Sequence, residues 1–238
     1  MSILHSIFLN ICTKIAQILP EQPCLLCGTP SAEVWCPACD VSLPALNSAL
    51  CPVCALPTFA GDVCGSCLTH PPHFKSTIAV YAYAFPLDRL VLALKYGEKL
   101  HLAKQMGDRL AQRVSVRPDC LVAMPLHPKR LRERGFNQSL QLARHIAQRL
   151  DLPLLATACQ RVRNTPSQST LPWKERGKNM RKAFSCSAEV AGKHVAVVDD
   201  VMTTGATLNE LALALLNAGA SEVSVWVVAR TLPHTRKP

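Results

Sequence analysis

Short apolar runs and amphipathic stretches alternate along most of the chain after residue 75. Continuous apolar runs bounded by turn residues are typical of strands inside a sheet, whereas apolar residues at three- to four-residue spacing are typical of helices. The runs predict strands over 119–126, 195–199 and 223–229, and a strand or strand pair over 76–85. The helical spacing predicts helices over 86–96, 100–114, 137–150 and 208–218. This alternation indicates an α/β fold.

The first nineteen residues also carry an apolar stripe at helical spacing, formed by Ile3, Leu4, Ile7, Phe8, Ile11, Ile15 and Leu19. We expect an amphipathic helix over 2–19, in a segment 1–20 that Pro20 ends. The stretch lacks a basic amino-terminal region, and polar residues interrupt its apolar run, so neither a signal peptide nor a stable membrane span is expected. Packing against the rest of the protein is favoured over attachment to a membrane surface, because the polar face has little positive charge.

Eight of the twelve cysteines form four C-x-x-C pairs, separated by gaps of 8, 11 and 9 residues. Each pair places two thiolates in one tight turn, and two pairs complete a tetrahedral site for Zn²⁺. The simplest pairing is sequential, with one tetrad at Cys24, Cys27, Cys36 and Cys39 and a second at Cys51, Cys54, Cys64 and Cys67. An interleaved pairing stays open, and iron–sulfur ligation is the less favoured alternative.

Two structural zinc sites would fold a segment that is too poor in apolar residues to fold alone, which predicts a double zinc ribbon over 21–70. A structural or partner-binding role is favoured over nucleic-acid binding, because this segment is near charge balance. His70 and His73 are expected outside the ligand set, in a surface linker. Closely spaced C-x-x-C pairs argue for metal and against a disulfide framework, and therefore for a reducing, cytoplasmic setting.

Charge is concentrated in one part of the 238-residue chain, whose formal net charge is +10. Fourteen Lys and Arg against four Asp and Glu lie between 117 and 182, and the remainder is balanced. Such a segment suits a polyanion, either pyrophosphate or nucleic acid. It contains few aromatic side chains on which bases could stack, so binding of single-stranded DNA is expected only as an added property.

The predicted strand over 195–199 ends in two adjacent carboxylates and is followed by a loop of small hydroxyl residues and a helix. The amides of such a loop and the helix N-terminus favour an anion, and a glycine lets the backbone approach it. A phosphate and polyhydroxyl ligand held with Mg²⁺ suits this layout. The candidate binding residues are Asp199, Asp200, Thr203, Thr204, Gly205, Ala206 and Thr207.

Two further polar segments are candidates for function. A cationic loop follows the strand over 119–126 and is expected to hold pyrophosphate or an acceptor, the alternative being a solvated basic helix face. Its residues are His127, Lys129, Arg130, Arg132 and Arg134. A long polar stretch after 160 predicts an active-site lid, the alternative being a disordered surface insert. The lid candidates are Arg161, Arg163, Thr165, Gln168, Arg176 and Asn179.

The segment VVDDVMTTGAT resembles the phosphoribosyl pyrophosphate (PRPP) motif of type I phosphoribosyltransferases. The cysteine pairs, the segment PLHPKRLRERGFNQ and the pattern R-x-x-x-T-x-x-Q-x-x-L from Arg161 extend the likeness. Over 20–232 the chain thereby resembles the ComF family, which includes GntX-like members. The resemblance implies a doubly wound, mainly parallel sheet over 75–232, preceded by the helix and the double zinc ribbon and followed by a tail over 233–238.

The same resemblance implies roles for individual residues. Asp199 and Asp200 would hold the ribose hydroxyls and support catalysis, and the loop from Thr203 would hold the 5′-phosphate, with Mg²⁺ bound together with PRPP. The family acts in the uptake or utilisation of external DNA, so DNA-uptake proteins are expected partners. Phosphoribosyltransferases that act on 6-oxopurines carry an Asp where this chain has Thr203. The difference argues against a 6-oxopurine as the acceptor substrate.

Three functions follow as hypotheses. The first is a PRPP-binding protein of DNA uptake or utilisation. The second is an active phosphoribosyltransferase in nucleotide salvage, with an unidentified acceptor. The third is an accessory protein that binds single-stranded DNA without catalysis. Whether the chain is an enzyme stays open at this point.

Overall fold

The computed structural model describes residues 22–46, 49–96, 99–163 and 183–233. The predicted amino-terminal helix, the lid candidates Thr165, Gln168, Arg176 and Asn179, and nearly all of the predicted tail lie outside the described residues. The chain divides into two compact units, Met1–Leu43 and Pro44–Pro238. Among the described residues, no helix combines the length and the apolar character needed to cross a membrane.

The described part of the first unit, residues 22–43, contains the first cysteine tetrad and little regular structure. Its elements are β1 (Gln22–Pro23), which pairs antiparallel with β2 (Pro30–Ser31), and α1 (Pro37–Ser42). Trp35 is fully buried, and its indole nitrogen donates a hydrogen bond of 2.7 Å to Asp40. Among residues 22–43, the buried side chains also include Val34, Leu43, Cys24 and Cys36, so cysteines form a large part of this interior.

The second unit contains a parallel sheet and the helices around it. In chain order its elements are α2 (Gly65–Thr69), β3 (Ser76–Ala82), α3 (Leu87–Tyr96), α4 (His101–Ala111), β4 (Cys120–Ala123), α5 (Pro128–Arg134), α6 (Gln138–Leu150), β5 (Cys159–Arg161), β6 (Phe184–Cys186), a 3₁₀ turn (Ala188–Val190), β7 (His194–Met202), α7 (Ala206–Asn217) and β8 (Glu222–Arg230).

The sheet has four strands in the order β3-β8-β7-β4, and all of its pairs are parallel. The two central strands, β7 and β8, are almost wholly buried, as continuous apolar runs predict for strands that are covered on both faces. β5 and β6 form a separate antiparallel pair that the sequence did not predict.

Helices cover both faces of the sheet. On one face, Val195, Val197 and Val225 pack in the same core cluster as Leu211 and Leu215 of α7. Alternate strand residues point to the other face, where α4 and α6 contact the sheet and each other. A Cβ atom on Gly107 of α4 would lie 3.2 Å from the His145 Cβ of α6, so this glycine permits the close approach of the two helices.

Within the described residues, the predicted strands and helices are confirmed in type, and three differences from the predictions bear on the site. The strand predicted over 195–199 continues to Met202, because β8 keeps pairing beside it as far as Arg230. The following helix begins at Ala206, two residues earlier than predicted. The basic segment predicted as a loop forms the short helix α5, with Pro128 in its first turn and Gly135 at its end.

The second cysteine tetrad belongs to the same compact unit as the sheet. The backbone N–H and the hydroxyl of Thr77 in β3 donate to the carbonyls of Pro52 and Val53, at 3.0 and 2.6 Å. Cys51 and Cys54 are buried in the core cluster that contains Val195 and Val223. The predicted double ribbon is therefore divided between the two compact units, since its second half is fixed to the edge strand.

Candidate functional site

Each cysteine tetrad has the geometry that zinc requires. In both, one sulfur atom from each of the four residues lies within 4.8 Å of the other three. The Sγ atoms of Cys27 and Cys36 are 3.7 Å apart, and those of Cys54 and Cys64 are 3.6 Å apart. Four thiolates around one Zn²⁺ at the usual bond length stand about 3.8 Å from one another. The arrangement fits tetrahedral zinc and confirms the sequential pairing.

Backbone amides stabilise the thiolates in both tetrads. The N–H of Cys36 donates to the Cys24 sulfur, and the N–H of Cys64 donates to the Cys51 sulfur, both at 3.3 Å. Although burial raises the pKa of the Cys24 thiol, such backbone hydrogen bonds lower it to about 6. Burial also raises the pKa of the Cys51 thiol, but backbone hydrogen bonds lower it to about 7. Each tetrad therefore holds at least one thiol that is readily deprotonated for a metal, whereas the contact with Cys27 raises the pKa of Cys39 to about 12 and burial raises the pKa of Cys67.

The acidic pair lies at the carboxyl end of the central strand β7. A carboxylate oxygen of Asp199 accepts hydrogen bonds from the Ser139 hydroxyl at 2.8 Å and from the Asp200 amide at 2.9 Å. The other carboxylate, on Asp200, is buried and forms an ion pair of 2.8 Å with Lys95 at the end of α3. Elements from three parts of the chain thus fix the two carboxylates.

Burial and nearby charges control the protonation of Asp199. Burial, followed by the neighbouring Asp200, raises the pKa of Asp199 to about 7, against the opposing effects of Ser139 and Lys95. Burial acts to lower the pKa of Lys95, but Asp200 and then Asp199 overcome this effect and raise it. Lys95 is therefore charged at neutral pH, whereas Asp199 titrates there. Such a site favours ligands that bring hydroxyl groups or cations.

The loop after β7 turns sharply into α7. Gly205 has φ of 81°, in the left-handed region that favours glycine, and a Cβ atom there would lie 2.7 Å from the Met202 methyl group. The Thr204 hydroxyl accepts from the Ala206 amide at 3.2 Å, and α7 begins at that residue. The predicted phosphate loop therefore stands directly at the N-terminus of a twelve-residue helix, where an anion is favoured.

Arg230, the last residue of β8, binds the main chain at the start of this loop. Its side chain is 4 % exposed and donates to the carbonyls of Cys54 at 2.8 Å, Met202 at 3.1 Å and Thr231 at 2.9 Å. It also donates to the carbonyl of Thr203. We call this set of contacts the Arg230 clamp. It joins the second cysteine tetrad to the hydroxyl loop through one guanidinium group.

The basic helix α5 lies beside the acidic pair. Arg130 and Arg134 line a cavity of about 200 Å³ together with Lys95 and Tyr96. The Arg134 guanidinium lies 5.2 Å from the centre of the Tyr96 ring, a distance suited to a cation–π contact. This places two of the predicted basic residues next to the cation that pairs with Asp200.

The other predicted basic residues divide between a cavity and the surface. His127 and Arg161 line a larger cavity of about 590 Å³ between α5, α6 and β5. Lys129 and Arg132 are exposed and line neither cavity. Burial, followed by Arg130, lowers the pKa of Arg161, and Asp199 opposes the shift, so Arg161 lies in the electric field of both. Arg163 is exposed.

Three residues of the site were not predicted from the sequence. Lys95 lies in the last turn of an ordinary amphipathic helix, and no local signal marks it. Ser139 follows the helix cap Asn137, whose side chain accepts from the Ser139 and Leu140 amides, and that cap was the one available signal. Arg230 ends an otherwise apolar strand, and an ionic residue in such a place indicates a buried partner.

Comparison with family models identifies two regions. Residues 137–238 match the phosphoribosyl transferase domain, and residues 15–68 match the double zinc ribbon domain. With the parallel sheet, these matches confirm the predicted type I phosphoribosyltransferase fold preceded by a double zinc ribbon.

Several characterised proteins are similar over most of the chain. DNA utilization protein YhgH from Salmonella typhimurium is 36% identical over 220 residues, which cover 88% of this chain and 97% of that protein. Competence protein F from Haemophilus influenzae is 33% identical over 70% of this chain and 78% of its own. Competence protein ComFC from Bacillus subtilis is 28% identical over 84% of this chain and 85% of its own.

Among solved structures, a glutamine PRPP amidotransferase from B. subtilis complexed with ADP and GMP is 27% identical, with a TM-score of 0.37. The match covers 52% of this chain and 25% of that one.

The placement of the two tetrads predicts unequal effects of removing one ligand from each. Cys51→Ser should release one zinc ion and speed amide hydrogen exchange in β7 and β8, because Cys51 is part of their core cluster. Cys24→Ser should release one zinc ion and leave that exchange unchanged, because Cys24 belongs to the other unit. Metal analysis and hydrogen exchange by mass spectrometry measure both effects, and equal effects would contradict the division.

The Arg230 clamp predicts a large loss of stability on its removal. Arg230→Met leaves buried carbonyls without donors and should lower the free energy of unfolding by about 3 kcal/mol, with Arg230→Lys intermediate. Arg89→Met, at an exposed arginine, is the matched control and should change it by less than about 0.5 kcal/mol. Urea unfolding measures all three, and similar values for the two Met variants would refute the clamp.

Proposed function

We propose a function from one established premise: the chain belongs to the ComF family of DNA utilization and competence proteins. From it we infer that the protein binds PRPP with Mg²⁺ at the carboxyl end of β7 and serves in the uptake or utilisation of external DNA. One observation carries the binding part. The adjacent carboxylates of Asp199 and Asp200 lie directly before a hydroxyl loop at the N-terminus of a long helix.

The parts of PRPP match separate parts of this site. Asp199 is open to accept from ribose hydroxyls, because its bonds to Ser139 and to the Asp200 amide use the same oxygen. The loop from Thr203 to Thr207 offers hydroxyls and the helix N-terminus to the 5′-phosphate. The pyrophosphate would bind at the cavity next to Asp200, where Lys95, Arg130 and Arg134 supply positive charge.

Mg²⁺ suits the donors present, since carboxylate oxygens are the ligands it prefers in proteins. When bound with PRPP, it supplies positive charge to the pyrophosphate oxygens. Asp199 and Asp200 are the residues that would hold the ion or its water molecules. Burial, followed by repulsion from Asp200, raises the pKa of Asp199, and a bound cation would oppose both effects.

Two of the three hypotheses remain as alternatives. The cavity of about 590 Å³ beside His127 offers room for an acceptor, which favours retained phosphoribosyl transfer. The exposed ring of Tyr96 beside Arg134 offers one stacking surface with a cation, which favours DNA binding as an added property. Release of pyrophosphate with an acceptor panel distinguishes the enzyme from a binding protein, and steep salt dependence of DNA affinity identifies the second property.

Binding of PRPP should depend on the acidic pair. Asp199→Asn and Asp200→Asn should each weaken PRPP binding in the presence of Mg²⁺ roughly tenfold or more, because an amide loses the charge-assisted hydrogen bonds. Isothermal titration calorimetry measures this affinity. Asp108→Asn, which removes an exposed ion pair with Lys104 on α4, is the control and should bind as the unaltered protein does. Unchanged affinity in both acidic variants would refute the assigned site.

Binding should also depend on pH, with a sign set by Asp199. Since the pKa of Asp199 is raised to about 7, its carboxylate is increasingly protonated as the pH falls below that value. The affinity for PRPP should then fall, approaching roughly tenfold per pH unit. PRPP phosphates titrate in the same range. The quantity to compare is therefore the difference in PRPP affinity between the unaltered protein and Asp199→Asn at each pH. A difference that stays constant from pH 5.5 to 8 (roughly the range in which His and such raised carboxyls titrate) would contradict the assignment.

A further inference from the structure

Two cysteines outside both tetrads face each other on the antiparallel pair β5 and β6. Cys159 is directly opposite Cys186, and their Sγ atoms are 2.6 Å apart. Neither residue takes part in the proposed PRPP site. Cys159 lines the cavity of about 590 Å³, together with Gln160 and Arg161.

The backbone register determines whether Cys159 and Cys186 can form a disulfide bond. The Ser187 amide donates to the Ala158 carbonyl at 2.7 Å, and the Val162 amide donates to the Ala183 carbonyl at 2.9 Å. Hydrogen-bonded and non-hydrogen-bonded positions alternate along an antiparallel pair. The position that holds the two cysteines is therefore a non-hydrogen-bonded one.

Residues at such a position have Cα atoms about 4.5 Å apart, closer than at hydrogen-bonded positions. Disulfides span Cα separations from about 4.4 to 6.8 Å. Cys159 and Cys186 are therefore already within bonding reach, and the backbone of β5 and β6 need not move for a bond to form.

The two thiols differ in a way that suits stepwise exchange. Cys186 is partly exposed, whereas Cys159 is buried. The hydrogen bond from the Cys159 thiol lowers the pKa of Cys186, and the same contact, followed by burial, raises the pKa of Cys159. The accessible cysteine is the better thiolate, and the buried one keeps its proton until a mixed disulfide has formed.

We propose that Cys159 and Cys186 form a reversible dithiol–disulfide site that is oxidised by exchange with a low-molecular-weight disulfide of the glutathione class. The Cys186 thiolate attacks one sulfur of that disulfide, which forms a mixed disulfide and releases one thiolate. Cys159 then loses its proton and attacks the Cys186 sulfur, which forms the Cys159–Cys186 bond and releases the second small thiol. Two thiols are oxidised, and one small disulfide is reduced to two thiols.

The oxidised bond would link the two strands across one wall of the larger cavity. Because Cys159 and Arg161 lie on the same short strand, the bond would fix the position of a cation that lies in the field of Asp199. The site therefore offers the protein a means of responding to the thiol balance of its surroundings, and it does not depend on the proposed PRPP function.

The test uses the full chain with zinc bound, equilibrated in glutathione buffers of increasing oxidised fraction. Acid quenching, alkylation and tryptic mapping should give one linked pair, formed by the peptides 150–161 and 183–193. Zinc content measured on the same samples should stay constant while this link forms. Return to reduced glutathione should remove the link.

Variants assign the order of the steps. Cys159→Ser should accumulate a glutathione adduct on Cys186, whereas Cys186→Ser should stay unmodified at Cys159. Cys120→Ser, which changes another buried cysteine outside the tetrads, is the control and should form the link as the unaltered protein does. The measurement on the unaltered protein decides the proposal even if a variant fails to fold.

Two outcomes would overturn the proposal. One is a stable glutathione adduct on Cys186 of the unaltered protein with no link to Cys159, even in a large excess of glutathione disulfide. The other is a link that appears only after zinc is lost and tetrad cysteines are oxidised, because the Cys159–Cys186 pair would then not be a distinct site.

Discussion

A single buried guanidinium group supports both characteristic parts of this molecule. Arg230 is held by main-chain carbonyls, one beside the second tetrad at Cys54 and two at the entry to the hydroxyl loop, Met202 and Thr203. Burial lowers its pKa, and the Cys54 thiolate opposes that shift. Four thiolates around Zn²⁺ would carry a net negative charge, so a filled metal site would further stabilise the cation that shapes the loop. The second zinc ribbon is in this way a structural part of the phosphoribosyltransferase domain.

The acidic pair depends on the same strands. β7 continues through both carboxylates because β8 pairs with it up to Met202 and Arg230. This extension places a buried carboxylate on Asp200 beside a half-buried one on Asp199, and Lys95 is the cation in direct contact with Asp200. Desolvation of Asp199, followed by the charge of the neighbouring Asp200, raises the pKa of Asp199 to about 7. Under the proposed function, a metal ion or a set of ribose hydroxyls would relieve the repulsion between the two carboxylates.

Local patterns predicted the elements well and the contacts between them poorly. Apolar runs located the strands, the cap at Asn137 located a helix, and C-x-x-C spacing located both tetrads. These signals work because each depends on residues that are near in sequence. Ser139 and Asp199 are sixty residues apart, and Arg230 reaches a carbonyl 176 residues away. The short strands β5 and β6, three residues each, carry too few residues to show a period. Such contacts arise from packing, which periodicity does not encode.

The basic helix α5 explains how one segment could serve two anions. Arg130 and Arg134 face the cavity that contains Lys95, whereas Lys129 and Arg132 are exposed to solvent. Side chains four residues apart lie on one face of a helix, so the inner pair belongs together and the outer pair takes a different direction. Under the proposed function, PRPP would meet the inner pair, whereas a nucleic acid would meet the outer pair and also Arg134 beside Tyr96. The two ligands would therefore share Arg134 and use separate cations elsewhere on the helix.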